Sequence, residues 1–248
     1  NAPPNIQPAP LGNNDLTWET ANSLDIALEF EVIDRVDGSV TFFRKDSRDL
    51  LFNIPLSRTT GHTSQIINGG ELYNQGFEIE LDASIINTRD FSWNLGGNLT
   101  LIKNEVTELP LDLNGDPIEL TTGTRYRGVE GYEVDAWYMR EWAGVNPDNG
   151  DPLWYMDDGN GGRTTTNTWN EADPYYQGAN AQPNQFGGIN TRVNVFGFYA
   201  QANLSFSFDY KIYDNWAFYM KSDGRVAGAF GQYATATDYW TPENTDAA

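Results

Sequence analysis

The chain has 248 residues, a formal net charge of −20 and no cysteine. That length suits one or two domains. The acidic balance excludes nucleic acid as a partner, because backbone phosphates need a basic footprint, and the missing thiols exclude a disulfide framework and thiol chemistry. Glycine is frequent (24 residues) and aromatics reach 14%, as in a β-rich protein with many turns. No apolar run approaches the length of a membrane-spanning helix. The mean hydropathy of −0.55 does not bear on membrane strands, whose alternation averages to low values. No signal peptide opens the chain, which runs from Asn1 to Ala248; both ends are expected to be cut from a longer polypeptide.

In chain order, the first signal is a two-residue rhythm. Leu24, Ile26, Leu28, Phe30 and Val32 alternate with Asp25, Ala27, Glu29 and Glu31. Side chains on a strand point to opposite faces, so this segment has one apolar and one acidic face. The rhythm predicts six strands: Ala21–Ile33, Ser39–Phe52, Gly76–Ile86, Phe91–Lys103, Gly188–Val195 and Phe198–Tyr213. Most are longer than the usual globular strand and long enough to cross a bilayer at a tilt.

Their connections come in two sizes. Asp34–Gly38, Asn87–Asp90 and Phe196–Gly197 are tight turns carrying Gly, Asn or Asp. Phe52–Gln75 and Asn104–Gly187 are long loops. Short and long alternate strictly, so the short turns share one end and the long loops the other. Bacterial outer-membrane barrels have this polarity. Phe91, Trp93 and Phe198 fall beside short turns on the apolar face, where an interfacial aromatic girdle belongs. Six strands cannot close around a wide polar lumen, so the segment reads as a sector of a larger barrel.

Candidate sites are few. His62 is the only histidine and lies in a loop, so zinc and histidine-triad sites are not available. The carboxylates Glu29, Glu31, Glu78, Glu80 and Asp82 lie on the polar strand face, where alternation accounts for them without a glycosidase pair. Asp148 to Asp151 and Asp157 to Asn160 suit calcium in general terms, but neither has EF-hand spacing, and Asp and Asn in loops usually form turns. No cofactor is expected. Asn104–Gly187 holds Tyr132, Trp137, Tyr138, Trp142, Trp154, Tyr155, Trp169, Tyr175 and Tyr176. Flat aromatic faces with polar tips suit sugar rings and protein partners; Trp137, Trp142, Trp154, Tyr155 and Trp169 are the candidate contacts. The sequons at Asn98 and Asn203 fall inside predicted strands and are discounted.

Several blocks, in order, carry a resemblance. They are Leu16 to Thr20; Asp49 to Leu51 followed by Pro55; Gly61 to Ser64 with Asn68 to Glu71 and Asn74 to Glu78; Asn98 to Val106; Trp142 to Pro147 with Gly150 to Tyr155; and Trp240 to Asn244. Together they resemble the SusC/RagA-type TonB-dependent transporters of Bacteroidetes outer membranes. The stretch Asp157 to Gly162 departs from the acidic, glycine-containing segment of many relatives. The resemblance implies an all-β, antiparallel transmembrane barrel of about 22 strands, plugged by an N-terminal domain, of which residues 1–248 are part of a single barrel domain without the plug. It implies TonB-dependent import of a nutrient, an oligosaccharide or a peptide with the oligosaccharide favoured, without bond chemistry. The implied partners are a SusD-type surface lipoprotein, TonB acting through the missing N-terminal part, and outer-membrane lipid. A secreted acidic β-sandwich that binds carbohydrate is the alternative, and it would bury both apolar faces between its sheets.

Overall fold

The computed structural model describes residues 11–112, 115–121, 125–221, 225–226, 228–234 and 239–245. The opening residues 1–10 and the closing residues 246–248 of the sequence reading lie outside these. The chain divides into two units. The first comprises Asn1–Thr122, Tyr126–Asp135 and Gln182–Tyr210; the second comprises Gly123–Arg125, Ala136–Ala181 and Lys211–Ala248.

The first unit begins with β1 (Thr20–Val32), which turns tightly into β2 (Val36–Arg48). Ile33 and Asp34 make that turn with φ of 58° and 48°, the left-handed pair that matches strand twist. A short hairpin follows, β3 (Leu51–Pro55) and β4 (Ser64–Asn68), then the long strands β5 (Glu71–Asn87) and β6 (Phe91–Glu108). Beyond β6 come the small strands β7 (Leu120–Thr121) and β8 (Arg125–Gly128). The second unit holds β9 (Ala136–Arg140), β10 (Trp142–Val145), β11 (Pro152–Asp157), β12 (Arg163–Thr166) and β13 (Pro174–Asn180). The chain returns to the first unit with β14 (Gln185–Val195) and β15 (Phe198–Phe208), and the second unit ends with the short helix α1 (Asn215–Met220).

The six expected strands form one antiparallel sheet, ordered β1-β2-β5-β6-β14-β15. Strand ends differ from expectation. β2 stops at Arg48 because Asp49 adopts φ 55°, which ends the ladder. β5 and β6 run on to Glu71 and Glu108, with apolar alternation giving way to polar residues before the strands end. β15 stops at Phe208, before Asp209 at φ 59°. The hairpin β3–β4 and the strands between β6 and β14 were not foreseen; they are too short for a period to declare itself.

Register shows the two faces directly. One rung across all six strands reads Leu28, Val40, Ile79, Leu99, Gly187, Phe206. A rung on the opposite face reads Glu31, Asp37, Asp82, Gly96, Asn190, Asn203. The apolar face stays open to its surroundings: Leu24, Ile26, Leu28, Phe77, Leu81, Ile189, Leu204 and Phe208 are all exposed. Among the described residues of this unit no second sheet covers it, so the β-sandwich reading fails. The buried apolar residues of this unit, Ile54, Val106, Leu109, Tyr126 and Val129, gather instead at the long-loop end. That inversion suits a sheet whose apolar face is solvated by lipid.

Beside the short turns, Trp93 lies opposite Val193 and donates its indole N–H to Thr191 Oγ1 at 2.9 Å, on the face it shares with Phe91, Val195 and Phe198. A bulge between Ser84 and Ile86 places Ile86, rather than Ile85, opposite Trp93.

Candidate functional site

Three strands of the second unit, β10-β11-β12, form a small antiparallel sheet that carries most of the candidate aromatics. Trp142 pairs with Trp154, and Trp154 with Thr166, in one rung. The indoles of Trp142 and Trp154 meet edge to face at 5.9 Å between centroids, and Trp154 and Trp169 do so at 5.3 Å. The Arg140 guanidinium lies 4.9 Å from the Trp169 centroid while its Nε donates to the Ala172 carbonyl. Trp154 is the middle of this row and half-buried. Trp142 and Trp169 are 45% and 51% exposed, so two indoles present open surface.

Tyr155 follows Trp154 on the strand and therefore faces the other way. There Arg163 lies between two rings, 4.1 Å from the Tyr155 centroid and 4.2 Å from that of Tyr175. Arg163 also pairs with Glu141 at 2.8 Å, and that carboxylate, first among the causes, raises its pKa. The five candidates thus separate. Trp142, Trp154 and Trp169 make one aromatic row, and Tyr155 belongs to a cation–π stack on the opposite face. Trp137 is only 8% exposed, and its indole donates to the Lys211 carbonyl, which leaves it to hold its own segment. Arg163 and Arg140 were not singled out in the sequence. Arg140 stands two residues from Tyr138 and from Trp142 in a chain with few cations, whereas Arg163 has no aromatic residue within five positions and carried no such signal.

The acidic stretches act as turn formers. Asp158 Oδ1 accepts from the backbone N–H of Asn160 at 2.8 Å and of Gly162 at 2.9 Å, which holds its pKa below the usual carboxylate range. Asp157 Oδ1 accepts from Gly159 N at 2.7 Å, and Asp151 Oδ2 accepts from Asn149 and Asn167. Among the described residues, no group of three or more metal-ligating side chains converges. His62 sits in the loop before β4, where its backbone N–H donates to Thr60 Oγ1 at 3.3 Å.

Blocks distant in sequence meet. The indole N–H of Trp240 donates to the Pro147 carbonyl at 3.1 Å, and its ring covers Gly150, whose φ of 77° and lack of Cβ permit the contact. In the first unit, Asn68 clamps the entry to β1. Its Oδ1 accepts from Thr17 N at 2.7 Å, and its Nδ2 donates to the carbonyls of Thr17 and Asp49.

A second feature lies on the large sheet. Toward the long-loop end the apolar face turns polar: the rung Phe42, Phe77, Leu101, Gln185 is followed by Arg44, Gln75, Lys103 and then by Asp46, Tyr73, Glu105. Arg44 pairs with Asp46 at 2.7 Å and donates to Gln75 at 2.8 Å. Lys103 pairs with Glu105 at 2.8 Å, and the Tyr73 hydroxyl donates to the same carboxylate at 2.9 Å. Extending the two-residue period past the last apolar residue of β2, β5 and β6 would have found this belt.

A lipid-facing apolar band, a polar opposite face and connections sorted by length define a sector of a transmembrane β-barrel. The family model described as "TonB dependent receptor-like, beta-barrel" matches residues 2–175, and the chain belongs to that family. It is 29% identical over 94% of its length to TonB-dependent receptor P26 of Formosa agariphila, covering 24% of that protein. It is also 29% identical, over 57% of its length, to TonB-dependent receptor SusC of Bacteroides thetaiotaomicron, covering 15% of it. Among solved structures, the RagAB peptide transporter shares the fold, with a TM-score of 0.82, 23% identity, and 95% of this chain on 26% of that one. The chain therefore spans about a quarter or less of these relatives. Members of the family are transporters rather than enzymes.

Proposed function

We propose that this chain is part of the barrel wall of an outer-membrane importer that draws its energy through TonB and works beneath a SusD-type surface lipoprotein. The observation that supports it is the apolar face continuous over six strands, with every short turn at one end. In this reading the short turns lie in the periplasm and the long-loop end lies outside. The second unit then meets the lipoprotein and the cargo. An oligosaccharide is the cargo: the exposed indoles of Trp142 and Trp169 offer flat faces to sugar rings. A peptide is the second reading, favoured by the description of RagAB as a peptide transporter.

Residues 1–248 contain no cysteine, so only cysteines elsewhere in the complete protein need replacing by serine before the test. In the complete outer-membrane protein, Asn160→Cys and Asp34→Cys would be treated on intact cells with a membrane-impermeant maleimide. Position 160 labels from outside and loses labelling when the lipoprotein is co-expressed; position 34 labels only after permeabilisation. Labelling at 34 but not 160 on intact cells would reverse the orientation. Unchanged labelling at 160 with the lipoprotein present would remove the partner from this surface.

A further inference from the structure

Where the apolar face of the large sheet meets the polar belt, it carries a groove of about 430 Å³. That lies within the range of small-molecule sites. Its apolar part is made by Phe42, Phe77 and Leu101, neighbours in one rung, with the rings of Phe42 and Phe77 at 5.4 Å. Its other lining is polar and uncommon for a membrane-facing surface: Gln75, Glu133, Asn184 and Asp209. Asn184 Nδ2 donates to Glu133 Oε1 at 3.0 Å and lies 3.4 Å from Asp209 Oδ2, which fixes both carboxylates. The second oxygen of Glu133, Oε2, is buried and has no hydrogen-bond partner among the described residues. Such an oxygen carries an uncompensated desolvation cost. Glu133 lines the groove, so a donor held there beside its carboxylate offsets part of that cost.

We propose that this groove holds a glycolipid of the outer leaflet. One acyl chain lies over Phe42, Phe77 and Leu101, and sugar hydroxyls donate to the carboxylates and meet the amides. Three features select this occupant. The groove is continuous with the apolar band, so its lower half is already in lipid. Planar carboxylates and amides suit hydroxyl donors better than they suit a bare phosphate. Lys103, which also lines the groove, is positioned for a phosphate at the sugar's edge. The choice of leaflet rests on the orientation proposed above.

The test uses the complete protein in nanodiscs containing phosphatidylcholine, phosphatidylglycerol, or phosphatidylcholine doped with lipid A, a phosphorylated glucosamine glycolipid. Lipid retained on the protein is read by native mass spectrometry. Lipid A is expected to be retained in preference to both phospholipids. Glu133→Gln, which keeps the shape but replaces an acceptor with a donor, lowers lipid A retention about tenfold. Phe77→Ala lowers retention of the acyl chain, and folding of each variant is checked by the heat-dependent shift of the barrel on gels. Equal retention of lipid A and phosphatidylglycerol, or retention unchanged in folded Glu133→Gln, would overturn the proposal. The maleimide experiment separates the two failures. External labelling at position 160 with no lipid A preference sinks the groove alone, whereas periplasmic labelling at 160 sinks both.

Discussion

Gly38 sits on the apolar face between Phe30 and Leu81, and a Cβ built there would lie 2.5 Å from the Phe30 ring and 2.6 Å from a Leu81 methyl. The two large side chains close over the glycine and keep that face apolar. Their neighbours on the strand point the other way, into the row of Glu31, Asp37 and Asp82. A one-residue step therefore separates lipid from water. Leu81→Arg is expected to cost about 2–4 kcal/mol of barrel stability near the midplane, and Asp82→Arg far less, because it also relieves a row of like charges. Folding into liposomes measures both; equal costs would mean the faces are misassigned. Asp158 gives a second residue-scale expectation. Its folded pKa is depressed by backbone N–H donors, so its contribution is complete above the ordinary aspartate range and lost as pH falls through the depressed value. Hydrogen exchange at Asn160 and Gly162, corrected for intrinsic rates, should stay slow down to about pH 4 and speed up below it. In Asp158→Asn the exchange should be faster at neutral pH and flat across that range.

At the scale of elements, the small sheet β10-β11-β12 is held by aromatic contacts more than by strand length, since β10 and β12 have four residues each. Trp154 makes two edge-to-face contacts, each worth about 0.5–1.5 kcal/mol beyond area burial. Trp142 and Trp169 make one ring–ring contact each in that row and offer the remaining surface outward. Trp154→Ala is therefore expected to loosen the sheet, seen as protease sensitivity between residues 142 and 166. Trp142→Ala should leave protease resistance intact and weaken lipoprotein or cargo binding, by about 2 kcal/mol or more if it is an anchor. The reverse pattern would place the binding surface elsewhere. The edges of the large sheet follow the same logic: β1 and β15 each pair on one side only, and each has an apolar face.

For the whole molecule, those two edges and the open apolar face set the behaviour of residues 1–248 in isolation. An unpaired edge templates association, and an exposed apolar face of this extent is found where another surface or a membrane covers it. Expressed alone in water, this segment should aggregate, and detergent should rescue strand content without giving cooperative unfolding. A soluble monomer with a single sharp transition by calorimetry would contradict that.

How far the sequence alone reached depends on the length of each signal. The six long strands were legible because alternation over ten or more residues admits one register with the apolar side chains together, and a slip of one residue would put them all on the wrong face. The strict order of short and long connections gave the polarity of the sheet for the same reason. The bulge at Ile85, the break at Asp49 and the hairpin from Leu51 to Asn68 are set by local φ and by neighbours across the sheet, which no period encodes. Composition identified the aromatic loop but could not sort its members. Only the tertiary structure buries Trp137, leaves Trp142 and Trp169 open and turns Tyr155 to Arg163, because exposure depends on residues brought together from as far apart as 137 and 213. The groove beside Glu133 was beyond reach for the same reason. It joins side chains of four strands and three connecting segments, and that assembly exists only once the ladder has set its register.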